Sequence, residues 1–176
     1  MKHVLSVYVN NQPGVLMRVS SLFSRREFNI DSLAVGITED QAKSRITVVL
    51  HGDEHLVDQM TKQLSKLEDV VKVQHLDPKT SVYRGMTMIK VKTNDSNRLD
   101  VLKMGELFRA RVIDVQSSVV IFELTGDDAK VTAFTEVLEP YGILEIIRTG
   151  LIALERGEST IKDNLEEKVF YGKNLL

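Results

Sequence analysis

The sequence contains no cysteine, only three prolines and 6% aromatic residues. The absence of cysteine excludes disulfide frameworks, thiolate metal sites and cysteine nucleophiles, and it is compatible with a cytoplasmic location. No apolar run reaches the roughly 18 residues that a membrane span needs, and the first residues do not form a secretory signal pattern. We therefore expect a cytoplasmic protein with no membrane partner.

An excess of charge of one sign is also missing. Twenty-three Lys and Arg residues stand against 25 Asp and Glu residues, which gives a net charge of −2. Such a balance creates no strong field that would draw nucleic acid to the chain, so no nucleic-acid partner is expected. The 176 residues, 43% of them hydrophobic, suffice for one medium core or two small ones.

The first half of the chain alternates strand and helix patterns. A β-type run at residues 4–9 precedes a helical run at 15–26. The β-rich run 28–37 and the alternating run 44–51 should then pair as a hairpin across 38–43. Next comes one helical stripe, formed by Val57, Met60, Leu64 and Leu67, and then a final strand at 70–76. The order of elements in this half is therefore βαββαβ.

The second half repeats this order. Pro78 and its polar neighbours interrupt the pattern, which predicts a domain boundary there, with domains at 1–78 and 79–158. Asp127 or Asp128 can cap the last helix. The predicted elements are a strand at 83–91, a helix bearing Val101, Met104, Gly105 and Phe108, strands at 112–115 and 119–124, a helix bearing Val131, Phe134 and Leu138, and one last apolar run at 143–154.

Two such repeats predict an α+β fold made of two tandem ferredoxin-like βαββαβ sandwiches, each with its helices on one face of an antiparallel sheet. The other sheet face must be covered, and the second domain or another subunit is the expected cover, so dimerisation is expected as well. Residues 159–176 have too few apolar positions to add a layer, which predicts a charged tail.

The turn at residues 10–16 is the strongest indication of a ligand site. Gly14 has no Cβ, so a small molecule can approach the backbone while the first N–H groups of the following helix point outward as a carboxylate receptor. Asn11 in the turn and Asn29 at the second strand can each donate and accept hydrogen bonds, as recognition of a zwitterionic amino acid requires.

Structural interpretations of these residues remain open. Gly14 would also be needed merely to permit the tight turn, and Asn29 would also suit an unusual backbone angle. Four apolar residues are core by default, although one or two of them could line a side-chain pocket: Val15, Leu16, Ile30 and Val35.

Other candidate sites are weaker. His51 and His55 have a spacing that binds zinc when both lie on one helix face, but a strand end and a helix start separate them, which favours a solvated loop. The carboxylates of Glu39 and Asp40 lie in the predicted hairpin connection, where turn chemistry explains them. The two arginines at 25–26 could form an anion patch, but cations that complement a helix C-terminus are the simpler interpretation.

Both halves resemble one known family. Segments 5–7, 11–16 (Asn-Gln-Pro-Gly-Val-Leu), 18–19, 22–26 and 28–33 (Phe-Asn-Ile-Asp-Ser-Leu) are similar to the ACT domain of the small regulatory subunit of acetohydroxyacid synthase. Segments 108–110, 113–115, 148–150 and 153–157 resemble the C-terminal domain of that subunit. The resemblance covers about residues 2–158 and departs at Glu27, where the family often has glycine.

The resemblance implies a regulatory subunit without catalytic residues, metal site or cofactor of its own. Such subunits bind valine or another branched-chain amino acid between the ACT domains of a homodimer, and they activate and tune a separate catalytic subunit. That subunit uses thiamine diphosphate, magnesium and FAD to make acetolactate or acetohydroxybutyrate in branched-chain amino-acid biosynthesis. By motif position, the effector site would comprise Asn11, Gly14, Val15 and Leu16 of one chain with Asn29 and Ile30 of the other.

The resemblance also implies that the C-terminal domain is the better candidate for contacting the catalytic subunit. Two other classes remain open. One is a stand-alone ACT-type amino-acid sensor or adaptor with a different partner, which would not copurify with a thiamine diphosphate enzyme. The other is an enzyme whose site assembles only between chains, which would show turnover by the purified chain alone.

Overall fold

A computed structural model of the chain describes residues 1–24, 29–163 and 165. These residues form two compact units. The first contains Met1–Ser81 together with the described residues from Leu154 onward, and the second contains Val82–Ala153. Each unit is an antiparallel sheet with two helices, so the predicted α+β fold of two tandem ferredoxin-like sandwiches is confirmed. Within the described residues, no helix is both long and apolar enough to cross a bilayer.

The first unit has the predicted order of elements. Its four-stranded sheet has the strand order β2-β3-β1-β4. The elements are β1 (Lys2–Asn10), α1 (Val15–Ser24), β2 (Ile30–Ile37), β3 (Lys43–His51), α2 (Glu54–Leu64) and β4 (Val70–Leu76).

The core of this unit follows from the two periodicities of the sequence. Alternate residues of the central strands face the helices, and residues three or four apart on the helices face the sheet. Asp53 starts α2 by accepting a hydrogen bond from the Leu56 N–H at 2.8 Å. The buried set comprises Leu5, Val7 and Val9 of β1, Ile46, Val48 and Leu50 of β3, Val15, Val19 and Phe23 of α1, Val57, Met60 and Leu64 of α2, and Val70.

The helix-free face of the first sheet is buried as well, at Val4, Ser6, Tyr8, Thr47, Val49 and Leu76. Residues 154–163, called the strap below, belong to the first unit. The strap contacts this face at Lys72, whose ammonium donates to the Asp163 carbonyl. Lys72 of β4 is the register partner of Tyr8 in β1, so it belongs to the same face. Ile161 of the strap is only 3% exposed. The described part of the predicted charged tail, residues 159–163, therefore packs on the sheet.

The second unit also repeats βαββαβ, with one addition at its end. Its sheet has the order β6-β7-β5-β8, and β9 pairs with β5 as well. The Asp127 carboxylate caps α4 by accepting from the Lys130 N–H at 3.0 Å. The elements are β5 (Ser81–Lys92), α3 (Arg98–Leu107), β6 (Arg111–Val115), β7 (Val119–Gly126), α4 (Asp128–Leu138), a 3₁₀ turn (Glu139–Tyr141), β8 (Ile143–Arg148) and β9 (Ile152–Glu155).

The prediction of one apolar run at 143–154 is wrong, because this segment forms two strands. Gly150 has a backbone φ of +81°, a conformation that suits glycine, and it separates β8 from β9. The Thr149 N–H donates to the Met86 carbonyl at 3.0 Å and so holds the bend against β5. Apolar residues on both sides of the bend hide it from a reading of hydrophobicity alone.

Gly105 allows close packing in the core of the second unit. A Cβ at this position of α3 would stand 2.3 Å from Cε1 of Phe122. The Phe122 ring is itself fixed by an edge-to-face contact with Phe134, with ring centroids 5.5 Å apart. The helix can therefore approach the sheet closely only because position 105 has no side chain.

We predict that Gly105→Ala lowers the free energy of unfolding by about 1–3 kcal/mol, because the added methyl group overpacks the core. The usual effect of this change inside a helix has the opposite sign, a gain of about 0.5–1 kcal/mol. Urea denaturation measures the difference. Lys103→Ala, at an exposed position of the same helix, is the control and should change the value by less than about 0.5 kcal/mol. A more stable Gly105→Ala protein would contradict the close contact.

Candidate functional site

The turn between β1 and α1 has the backbone geometry that its sequence indicated. Gly14 adopts a φ of +83°, which an L-residue with a side chain rarely adopts. The Val15 N–H reaches the Gln12 carbonyl at 3.4 Å, and the Arg18 N–H donates to the Gly14 carbonyl at 3.0 Å. Gly14 therefore permits the turn, and the helix begins directly after it.

The first turn of α1 presents N–H groups to solvent. Within the described part of the chain, no acceptor bonds to the amide N–H of Leu16 or Met17. These two residues are 42% and 68% exposed, so a ligand can reach the backbone there. Val15 differs, because its side chain is buried in the core and only its backbone faces the turn. Outward N–H groups at a helix N-terminus can hold a carboxylate.

Arg18 adds positive charge at the same place, and the sequence reasoning missed it. A Cβ on Gly14 would lie 3.1 Å from Nη1 of Arg18, which shows how near the guanidinium is to the turn. The Arg18 Nε donates to the Asp69 carboxylate at 2.8 Å, so the side chain is held in position. Spacing could have suggested this cation, since Arg18 is one helical turn after Gly14.

Asn11 ties the turn to the hairpin connection 38–42 between β2 and β3. Its backbone N–H donates to the Ala42 carbonyl at 2.8 Å, and its side-chain Nδ2 donates to the Gln41 carbonyl at 2.9 Å. The side chain is exposed, and its oxygen is the remaining acceptor that a ligand ammonium group could use. Asn11 therefore positions the turn as well as facing solvent.

The structure does not bring Asn29 to Asn11 within one chain. Asn29 is exposed and immediately precedes β2, and Ile30 packs against the core while pairing with Leu50. The turn, by contrast, follows Asn10, which pairs with Lys43 at the other end of β3. Seven residues of an extended strand span about 23 Å. A single ligand the size of an amino acid cannot contact both asparagines of one copy.

An exposed apolar surface lies on the helix side of the first unit. β2 is an edge strand, with β3 as its partner among the described strands. Val35 pairs with the core residue Ile46, so it points toward the helix side, and Ile37 points the same way two residues later. Both side chains are exposed, as are those of Leu16 and Met17 on α1. Val35 and Leu16 are therefore not core residues, contrary to the default interpretation.

The other candidates from the sequence have ordinary structural roles. His51 ends β3 and pairs with the Asp31 carboxylate, whereas His55 lies in α2. The Asp40 carboxylate accepts from the Ala42 N–H at 2.9 Å, which is the predicted turn chemistry. Among the described residues, no three His, Asp or Glu side chains are arranged to hold a metal ion. The arginines at 25–26 lie outside the described residues.

Glu39 has a partner that the sequence did not suggest. Its carboxylate forms an ion pair with the ammonium of Lys162 in the strap. The hydrogen bond from Lys162 lowers the pKa of Glu39, and the same hydrogen bond raises the pKa of Lys162. Both groups are therefore charged at neutral pH. No local pattern could reveal this pair, because the two residues are far apart in sequence.

Comparison with known proteins covers both units. Residues 5–72 match the family described as AHAS small subunit-like ACT domain, and residues 84–157 match the family described as small subunit of acetolactate synthase. The acetolactate synthase small subunit of Mycobacterium leprae is 48% identical over 88% of this chain and 92% of that protein. The chain belongs to the acetolactate synthase small-subunit family. The Mycolicibacterium smegmatis small subunit is 46% identical over 88% of this chain and 91% of that protein.

A solved structure of the same family agrees. The crystal structure of the acetolactate synthase small subunit from Thermotoga maritima superposes with a TM-score of 0.83 at 39% sequence identity, covering 90% of this chain and 99% of that one. Membership of the acetolactate synthase small-subunit family therefore rests on sequence and on fold together, over both units.

We predict that Asn11→Ala lowers the free energy of unfolding by about 0.5–1.5 kcal/mol, because the change removes the hydrogen bond from Nδ2 to the Gln41 carbonyl. Thermal or urea denaturation measures the loss. Gln12→Ala, at the neighbouring exposed position, serves as the control. Equal stability of the two variants would show that the side chain of Asn11 does not hold the turn to the hairpin connection.

Proposed function

We propose that this chain is the regulatory subunit of a cytoplasmic acetohydroxyacid synthase, and that it activates a separate catalytic subunit and confers feedback inhibition by valine or another branched-chain amino acid. The catalytic subunit would hold the thiamine diphosphate, magnesium and FAD. The observation that carries the proposal is the Gly14 turn with its unbonded N–H groups at Leu16 and Met17, in a chain that matches this family over both units.

The chemistry of the turn suits an aliphatic amino acid. The effector carboxylate would accept hydrogen bonds from the N–H groups of Leu16 and Met17, next to the guanidinium of Arg18. Asparagine oxygens would accept from its ammonium group. The exposed side chains of Leu16, Met17 and Val35 offer apolar surface for its branched side chain. Burial of that side chain would contribute about 1.5–3 kcal/mol.

A homodimer formed through the first units would complete the site. β2 runs from the Asn29 end of the sheet to the end where the turn lies. If two copies pair their β2 edges antiparallel, one strand is reversed relative to the other, and Asn29 of one copy comes to the turn end of the second sheet. No described strand pairs with the outer edge of β2, and Val35 and Ile37 are exposed; both observations support this arrangement.

The two units would divide the tasks between residues 1–78 and 79–158. The turn from β5 to α3 is the counterpart of the Gly14 turn, but the first turn of α3 contains an acidic residue, Asp100, whereas that of α1 contains none. The Asn94 Oδ1 also accepts from the N–H groups of Ser96 and Asn97 at 3.0 Å each, while the Asp95 carboxylate pairs with Arg98. A carboxylate ligand is therefore disfavoured there, which supports a role of the second unit in contacting the catalytic subunit. The edge strand β6 exposes Val112, Ile113 and Val115 for such a contact.

Reconstitution tests the function directly. Acetolactate formation by the catalytic subunit is measured with and without this chain, over a titration of L-valine. We expect stimulation by the chain and inhibition by valine. A purified chain that recovers no thiamine diphosphate enzyme, and stimulates none, would instead be a stand-alone sensor, and turnover by the chain alone would make it an enzyme.

We predict that Gly14→Asp abolishes valine inhibition, because the new carboxylate occupies the position that the effector carboxylate needs. Gly14→Asn is the matched control, since it has the same bulk and a similar tolerance of positive φ but no charge. The valine concentration for half inhibition should be at least about tenfold higher for the Asp variant than for the Asn variant, a difference of about 1.4 kcal/mol or more. Identical titrations would remove the turn from the site.

We predict that Asn29→Ala weakens valine binding by about tenfold or more, since an unpaired polar group of the bound effector costs about 1–3 kcal/mol. The melting temperature should not change, because Asn29 is exposed. Isothermal titration with valine, leucine and isoleucine gives the affinities, with Gln41→Ala as a control. A lower melting temperature with unchanged valine affinity would make Asn29 a structural residue of the chain entry to β2.

A further inference from the structure

The strap is attached to the first unit by a small number of specific contacts. Lys162 pairs with Glu39, Lys72 donates to the carbonyl of Asp163, and the Arg156 N–H donates to the Thr80 carbonyl at 2.8 Å. The strap holds its own shape through Thr160, whose N–H donates to the Asp163 carboxylate at 2.7 Å. Its anchor in the apolar interior is Ile161.

The hairpin connection 38–42 touches the strap and the Gly14 turn together. Glu39 of this connection binds Lys162 of the strap. Two and three residues further on, the carbonyls of Gln41 and Ala42 accept the two hydrogen bonds from Asn11 of the turn. The Thr38 N–H closes the connection by donating to the Lys43 carbonyl at 3.0 Å. Turn and strap are therefore separated by one short, internally bonded loop.

The strap also continues directly into the second unit. Leu154 and Glu155 at its start are the last residues of β9, and β9 pairs with β5. We propose that the strap is the element that transmits effector binding at the Gly14 turn to the second unit, through the Asn11 and Glu39 contacts of the hairpin connection 38–42. This inference rests on the function proposed above and concerns how the same site is coupled to the partner.

Transmission requires an element with two arrangements, and the strap has the properties of one. Its ion pair is solvent-exposed, since Glu39 and Lys162 are 69% and 43% exposed, and such pairs exchange with water at small cost. Residues of the strap line a cavity of about 370 Å³ together with Arg45, Gln74 and Leu76 of the sheet. Residues around a void have fewer packing contacts. The strap can therefore detach while the core on the helix side stays intact.

The direction of coupling follows from these contacts. An effector held at the turn fixes Asn11 and with it the hairpin connection, which sets the position of the Glu39 carboxylate. The docked strap then holds the end of β9 in one position, and the released strap does not. Because coupling is a difference in free energy between these two states, removal of the Glu39 contact should uncouple the second unit without removing the effector site.

The experiment reverses the charges of the pair one at a time and then together. The variants are Lys162→Glu, Glu39→Lys and the double exchange. Lys62→Glu is the control, because Lys62 lies on helix α2, whereas the strap lies on the helix-free face of the sheet. L-Valine affinity is measured by calorimetry on the regulatory chain alone. Valine inhibition is measured as acetolactate formation by the complex reconstituted with the catalytic subunit.

We expect both single variants to bind L-valine about five- to 150-fold more weakly than the wild type, because coupling between effector binding and strap docking acts equally in both directions. The fraction of activity that saturating valine removes should fall to less than a third. The double exchange should restore inhibition to within twofold of wild type, because it rebuilds the pair with opposite polarity. Lys62→Glu should behave as wild type. If the pair had only a structural role, its loss would lower the melting temperature. Saturating valine would then still inhibit the reconstituted complex as fully as in the wild type.

Three results would overturn the proposal. Single variants that valine inhibits as fully as the wild type would show that the strap contact does not transmit the signal. Single variants that bind no valine measurable by calorimetry would show that the strap shapes the site itself. A wild-type chain that binds no valine and leaves the catalytic subunit unchanged would remove the proposed function, and the coupling with it, before any variant is compared.

Discussion

β1 is buried on both of its faces, and the positions of the functional segments depend on this strand. Leu5, Val7 and Val9 lie under the helices, while Val4 and Tyr8 are buried on the opposite face. The strand pairs without interruption with β3 from Lys2–His51 to Asn10–Lys43. A shift of one residue would exchange the two faces, so burial of both faces fixes the register strongly. The end of β1 then places Asn11 beside the hairpin connection 38–42.

This arrangement explains why the ligand turn and the strap share a neighbour. The hairpin connection joins β2 to β3 at the end of the sheet where β1 also ends. One surface of the connection therefore faces the turn, and the strap on the helix-free face reaches it at Glu39. The second unit repeats the same order of elements, but its corresponding turn uses Asn94 and Asn97 to bond its own backbone. A common fold thus has a first helical turn without acidic residues at α1 and one that contains Asp100 at α3.

The sequence predicted those features that depend on local periodicity. Alternation predicted β1 and β3, the helical stripe predicted α2, and Asp127 was one of the two candidate caps of α4. The bend at Gly150 was missed because apolar residues continue on both sides of it. The docking of residues 159–163 was missed because one buried side chain, Ile161, produces no periodic pattern among polar neighbours. The Glu39–Lys162 pair depends on folding and could not be predicted from spacing.

For the site, sequence and motif placed Asn11 and Gly14 in one turn, and the structure agrees. The opposite locations of Asn11 and Asn29 could also have been derived from topology. A strand, a helix returning along it and a second parallel strand necessarily put the end of the first strand and the start of the second at opposite ends of the sheet. The unbonded N–H groups and the approach of Arg18 to Gly14 required coordinates, because they depend on distances of about 3 Å.

The strap also makes the first unit discontinuous along the chain, which matters during synthesis. All of Val82–Ala153 must leave the ribosome before Ile161 can reach the sheet of the first unit. Translation of such a segment takes on the order of ten seconds, whereas small domains fold within milliseconds to seconds. In that interval a nascent chain has folded its helix side but lacks the cover over Leu76. The open face is then accessible to chaperones or to a second nascent copy.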